Sequence, residues 1–188
     1  MTLHADARRL LTGWRAPDAR QELLRQEYVA HLDAHADGLL RSCLPDHVTA
    51  STVVLSPDGD QVLLTLHAKA GAWFQLGGHT EDGDTTLAGA ALREAREESG
   101  LDDLQLDPEP VQLDRHEVPF CGGRSGTRHL DVRFLAVASP AHAHAVSDES
   151  VDVRWWPVGE LPSDEPSLRE LVDRGRHRLR DRSGLRGL

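Results

Sequence analysis

The chain has little of what marks several large classes of protein. Cysteine occurs twice in 188 residues, at Cys43 and Cys121. The two lie in unrelated segments without metal-type spacing, so neither a disulfide framework nor a cysteine-bound metal is indicated, and two free thiols point to the cytoplasm. No apolar run approaches the roughly 20 residues that a membrane span requires, so no membrane role is expected. The opening MTLHADARRL lacks the cationic start, apolar stretch and cleavage site of a secretory signal. Only one of the 21 basic residues is a lysine, Lys69, and the 31 acidic residues leave a formal net charge of −10. A nucleic-acid polymer is therefore not an expected partner. A small anionic substrate is still compatible, because a bound cation can reverse the sign of the field locally.

What is present is an ordinary globular composition, 39% hydrophobic and 28% charged, enough for one domain with a buried core. Residues 3–43 read as helical. The short piece LHADARRLLTGW is followed by a longer helix starting near Pro17, with Leu23, Leu24, Tyr28, His31 and Leu32 near helical spacing. We take residues 1–45 as an N-terminal helical extension covering the core, with a homodimer surface or a substrate cap as its other uses, and 46–188 as the main domain.

From Val48 the pattern changes. TASTVVLS and QVLLTLH flank the turn signal SPDGD and predict a hairpin over 48–67. AKAGAWFQLGGH is a loop or short strand. PVQLDRHEVPF, RHLDVRFLAVA and VDVRWWPV read as further strands, and EPSLRELVDRGRHRLRDR as a closing helix striped by Leu168, Leu171, Val172 and Leu179. A hairpin with no regular strand–helix alternation predicts an α/β fold with a mixed sheet between helices.

The densest chemistry lies in Gly78–Leu101, GHTEDGDTTLAGAALREAREESGL. Asp84 or Thr85 can cap a helix here and Gly100 can end it. Leu87, Ala91 and Ala95 form its apolar back, with Leu92 flanking. Glu94, Glu97 and Glu98, at i, i+3 and i+4, project from nearly one line. At about 5 Å and an effective dielectric of about 20, each like-charged pair repels by roughly 3 kcal/mol. Arg93 can relieve Glu97 at i, i+4. A divalent cation would relieve the rest, since Mg²⁺ favours carboxylate oxygens shared with substrate phosphates.

The stretch resembles the Nudix box, G-x5-E-x7-R-E-U-x-E-E-x-G-U, where U is a bulky aliphatic residue. Arg93-Glu94-Ala95-Arg96-Glu97-Glu98-Ser99-Gly100-Leu101 matches every defined position of its second half except the first aliphatic one, which Ala95 occupies. With one extra residue before Arg93, Gly78 aligns with the first glycine and Asp84 with the first glutamate. The resemblance implies the Nudix α/β/α sandwich. It further implies a hydrolase that uses Mg²⁺ or Mn²⁺ to cleave a nucleoside diphosphate linked to another moiety, by water attack on phosphorus. It makes Glu94, Glu97, Glu98 and the carbonyl of Gly78 the metal ligands and Arg93 the residue that orients the glutamates. Glu97, Glu98 or Glu149, the last in the loop before the final strand, would take the proton of the water. Gly77, Gly78 and His79 would cradle the diphosphate. From the residues alone, His129 and Asp131 alternate on one strand face and either line the pocket or form a satisfied or exposed pair.

Two other uses of the fold are weighed against this. An isopentenyl-diphosphate isomerase would need a cysteine in the loop before the helix, and none is there. A non-catalytic ligand-sensing or protein-binding module usually lacks metal-site glutamates, and all three are present. The subgroup signatures that identify a substrate are missing: Arg115 and His116 stand where a proline would mark an ADP-ribose enzyme, and LLTLHAKAG lacks the arginine of the coenzyme A motif.

Overall fold

The computed structural model describes residues 1–68, 70–118, 126–140 and 150–185. Along the chain come α1 (Leu3–Gly13), α2 (Ala19–Ala34), β1 (Asp46–Leu55), β2 (Gln61–His67), β3 (Ala72–Phe74), β4 (Leu76–Gly78), α3 (Leu87–Ser99), β5 (Gln105–Glu117), β6 (Arg128–Val137), β7 (Ser150–Pro157) and α4 (Pro166–Leu185). The strands form one seven-stranded mixed sheet with the path β3-β2-β1-β6-β5, to which β4 adds through β1 and β7 through β2. Helices flank both faces, giving the expected α/β/α sandwich. Among the described residues no helix is long and apolar enough to cross a membrane.

The expected hairpin forms, but β1 and β2 pair only at Val54↔Leu63 and Leu55↔Val62, next to the turn. Lower down, β1 pairs antiparallel with β4 and runs parallel to β6 over its whole length, from Asp46↔Arg128 to Leu55↔Val137. Nothing local in the sequence encodes that parallel pairing, which joins segments about 80 residues apart. It nevertheless makes β1 the axis of the sheet.

Side chains alternate across a strand, so the two faces differ in chemistry. One face of β1 and β6 contributes Val48, Ala50, Leu130, Val132 and Phe134 to a buried cluster completed by Leu87, Ala90 and Ala91 of α3. The same cluster takes in Ala7, Leu11 and Trp14 from the α1 segment and Tyr28 and Leu32 from α2. Residues 1–45 are thus part of the hydrophobic core. Trp14 Nε1 donates to the Pro110 carbonyl at 2.7 Å and Tyr28 Oη to the Asp114 carbonyl at 2.7 Å, which ties both helices to β5. The longer helix begins later than Pro17 suggests: Asp18 is its N-cap and accepts from the Gln21 amide. Leu23, counted as a packing residue from its spacing, is 68% exposed.

On the opposite face, α4 packs Leu168, Leu171 and Val172 over Val53, Leu55 and Leu135. That apolar cover stops at Val53 and Leu135. Beyond it, the register aligns rows of polar residues across β1, β6 and β5: Ser51, Arg133 and Gln112, then Thr49, Asp131 and Asp114, then His47, His129 and His116.

Candidate active site

Helix α3 carries the candidate glutamates Glu94, Glu97 and Glu98, and its ends are held at specific atoms. Thr86 is its N-cap, with Oγ1 accepting from the Gly89 amide at 3.0 Å, and Asp6 of α1 accepts from the Leu87 amide at 2.9 Å. The cap expected at Asp84 or Thr85 therefore lies two residues or one residue later, and the carboxylate of Asp84 is engaged by Arg93 and the Glu81 amide instead. Gly100 ends the helix in the left-handed conformation, φ 68°, with its amide on the Arg96 carbonyl. Leu87, Ala90, Ala91 and Ala95 are completely buried against the sheet. Small alanines allow the helix to lie close to it, which accounts for Ala95 at a position where the motif has a bulkier residue.

Arg93 is the hub of the acidic front. Its guanidinium forms a two-pronged pair with Asp84, 3.1 and 3.0 Å. It also donates to Glu94 at 3.1 Å, to Glu97 at 2.9 Å and to the His79 carbonyl at 3.0 Å. With the one-residue insertion Asp84 takes the place of the first glutamate of the box, and from there it clamps the arginine of the box helix. Burial pushes the Asp84 carboxyl up, but Arg93 and the Glu81 amide outweigh it and hold the group below its usual range.

The three glutamates stand in different surroundings. Glu98 is nearly buried, 9% exposed, and accepts from the Gly77 amide at 3.0 Å. Glu94 faces Gly78, and burial, only partly offset by Arg93, pushes its carboxyl up to about 7. Glu97 points outward, with its side chain 58% exposed. The loop glycines explain themselves sterically. A Cβ on Gly77, φ +146°, would lie 2.4 Å from Cα of Ser51. One on Gly78 would lie 2.8 Å from Oε2 of Glu94, so only glycine lets this backbone meet the carboxylate.

These residues suit a hard divalent cation. Two carboxylates of low exposure converge on the Gly77–Gly78 backbone, and burial pushes one of them, Glu94, toward protonation despite Arg93 beside it. Among the described residues, however, the groups of three whose ligand atoms already lie within 4.8 Å are His47–His79–His129 and His35–Asp37–Cys43. The box glutamates stand wider than that.

The NUDIX domain profile matches residues 45–175. The chain belongs to the Nudix hydrolase family. Its enzyme class is accordingly that of a Nudix-type pyrophosphohydrolase. Solved structures agree on the fold. The Escherichia coli dihydroneopterin triphosphate pyrophosphohydrolase is 19% identical, with TM-score 0.57, over 70% of this chain and 95% of that one. A Caenorhabditis elegans Ap4A hydrolase is 18% identical, with TM-score 0.55, over 75% and 98%. A Nudix hydrolase from Clostridium perfringens is 22% identical, with TM-score 0.52, over 71% and 96%. A search of curated proteins finds no match.

The remaining candidates of this Nudix chain separate into groups. Glu149 lies outside the described residues, as does Cys121. Asp131 is 3% exposed. It accepts from Ser51 at 2.8 Å, Thr49 at 3.2 Å and Arg133 at 2.8 Å. Arg133 continues to Asp114 at 3.0 Å and Gln112 at 3.0 Å, and Ser167 at the start of α4 bonds both Arg133 and Asp114. The oxygens of Asp131 therefore serve a buried network joining β1, β6, β5 and α4. His79 and His129 meet, with ring centroids 4.9 Å apart. His47, which sequence reasoning passed over, completes a triangle with them, its ring 5.1 Å from that of His79 and 4.9 Å from that of His129. A lone histidine opening a strand of β-branched residues carries no signal until the parallel β1–β6 register sets it beside His129.

Proposed function

We propose that this enzyme hydrolyses the diphosphate linkage of a nucleoside diphosphate derivative, with Mg²⁺ or Mn²⁺ held by Glu94, Glu98, Glu97 and the Gly78 carbonyl. The observation that carries the reading is the Arg93 hub: one guanidinium fixes Asp84, Glu94, Glu97 and the His79 carbonyl, so loop and helix form one rigid unit. When bound, the cation would offset the charge of the carboxylates and of the diphosphate. The Gly77–His79 backbone would lie along the phosphates. Burial pushes the His79 imidazole down to about 4, with His47 adding to the effect, so it meets the anion as a neutral hydrogen-bonding group.

Glu98 is nearly buried and Glu94 largely enclosed, and both are suited to holding a cation. Glu97 is open to solvent and oriented by Arg93, and we assign it the proton released as water attacks phosphorus. Glu149 is the alternative acceptor from outside the box. The products are a nucleotide and the phosphorylated remainder. Retention of every box carboxylate supports hydrolysis over a binding-only module, and the cysteine-free loop speaks against an isomerase.

A panel of nucleoside diphosphate derivatives, assayed for phosphate-ester products with Mg²⁺ and with Mn²⁺, tests this. Turnover of at least one compound, lowered about 10²- to 10⁴-fold by Glu97→Gln, is expected. No turnover, or equal rates for the variant, overturns it.

A further inference from the structure

The sheet carries a second constellation with metal-binding chemistry, separate from the carboxylates. His47 opens β1, His129 lies directly beside it on β6, and His79 follows β4 in the box loop. One ring nitrogen from each lies within 4.8 Å of the other two. His47 Nε2 and His79 Nε2 are 3.1 Å apart. The rings of His47 and His129 approach to 4.9 Å between centroids.

The orientation of His47 is fixed from behind. Its Nδ1 lies 3.1 Å from the Cys43 carbonyl, which can only accept, so Nδ1 carries the proton and Nε2 presents a lone pair to the cluster. A backbone acceptor behind one ring nitrogen is the usual way a metal-bound imidazole is held. A hydrogen bond between His47 and His79 would account for that pair alone. It leaves Nε2 of His129 buried with no hydrogen-bond partner among the described residues, a costly arrangement unless something else fills the gap.

We propose that His47, His79 and His129 form a three-imidazole site for a divalent transition metal of the Zn²⁺ class. Nitrogen ligands select Zn²⁺ and its neighbours over Mg²⁺, which favours oxygen. A tetrahedral Zn²⁺ with bonds of about 2.0–2.1 Å needs nitrogens roughly 3.4 Å apart. The closest pair, at 3.1 Å, is near that spacing, and the other nitrogens lie within 4.8 Å. Three protein ligands leave a fourth position open. The site would pin the loop bearing Gly78 to β1 and β6 and so set the loop's position over the sheet. It does not depend on the hydrolytic reading, since none of the box carboxylates takes part.

The test uses the full-length chain, stripped with chelator and returned to excess Mg²⁺ so that oxygen sites are filled. Co²⁺ is then titrated as a spectroscopic probe. One equivalent is expected to give the intense visible bands of four-coordinate Co²⁺, abolished by Zn²⁺. His79→Gln and His129→Gln should each weaken Zn²⁺ binding at least tenfold, while Glu97→Gln leaves the bands in place. Absence of four-coordinate bands in the unsubstituted protein overturns the proposal, as does their persistence in His79→Gln or their loss in Glu97→Gln. Should His129→Gln unfold, as judged by circular dichroism, His79→Gln decides, because that loop side chain lies outside the hydrophobic clusters.

Discussion

Replacing each of the two adjacent glycines by alanine should separate stability from activity. At Gly78 the added methyl would sit 2.8 Å from Oε2 and 2.9 Å from Cδ of Glu94, the far end of a flexible side chain. The backbone there is not in the left-handed region, so alanine adds no strain of its own. Restoring ordinary contact requires the carboxylate to retreat by several tenths of an ångström to about 1 Å, at a rotamer cost of about 0.5–1.5 kcal/mol. For a chain of this size that lowers Tm by only a few degrees. A displacement of about 1 Å in a positioning group costs about a hundredfold in rate. At Gly77 the obstacle is backbone: Cα of Ser51 at 2.4 Å and the Ala50 carbonyl at 2.7 Å, with φ +146° besides. Strain and overpacking together predict a loss of about 3 kcal/mol or more, on the order of 10 °C in Tm. Thermal melts and initial rates of both variants provide the assay. If Gly78→Ala keeps the full rate, or if it melts as early as Gly77→Ala, the account of the loop is wrong.

Other outcomes follow from the same geometry. Arg93→Lys cannot reproduce the two-pronged pair with Asp84, and should destabilise by about 2–3 kcal/mol and lower kcat more than it raises KM. In metal-free protein the Glu94 carboxyl is raised from 4.5 to about 7. The folded state then binds more protons than the unfolded one between these values, so stability falls as pH rises through that window. Glu94→Gln should therefore stabilise the metal-free chain at pH 8, by up to about 3 kcal/mol, with no difference near pH 4, as read by urea titration; no gain at pH 8 contradicts the burial argument. Mg²⁺ should raise the Tm of the parent protein more than that of the variant. Trp14→Ala, which empties a site 5% exposed and breaks the bond to Pro110, should cost about 3–5 kcal/mol. A neutral result would mean the first helices do not share the core.

The sequence discloses local features well and nonlocal ones poorly. The helix α3 was legible because spacing, caps and a motif coincide within one segment, and Gly100 ends it where a left-handed stop was expected. The insertion before Arg93 was legible as a count, but its meaning, the Asp84–Arg93 clamp, appears only in three dimensions. The N-cap was misplaced by one or two residues because Asp84, Thr85 and Thr86 are all good caps, and tertiary demand on Asp84 decides among them. Alternation on one strand face makes Asp131 either a pocket residue or a satisfied polar group, and the sequence does not decide between them. Its donors Ser51 and Thr49 come from β1, about 80 residues away in the chain, and Arg133 links it onward to Asp114 of β5. His47 was missed for the same reason.

The central claim is that the α3 carboxylates and the Gly77–Gly78 backbone carry the hydrolysis. Its most direct test is the Mg²⁺-dependent rate on the best substrate for the parent enzyme and for Glu98→Gln, which keeps the shape of a side chain accepting from the Gly77 amide at 3.0 Å but removes its charge. The expected variant remains folded and is slower by at least about a hundredfold. A folded Glu98→Gln with an unchanged rate would contradict the central claim.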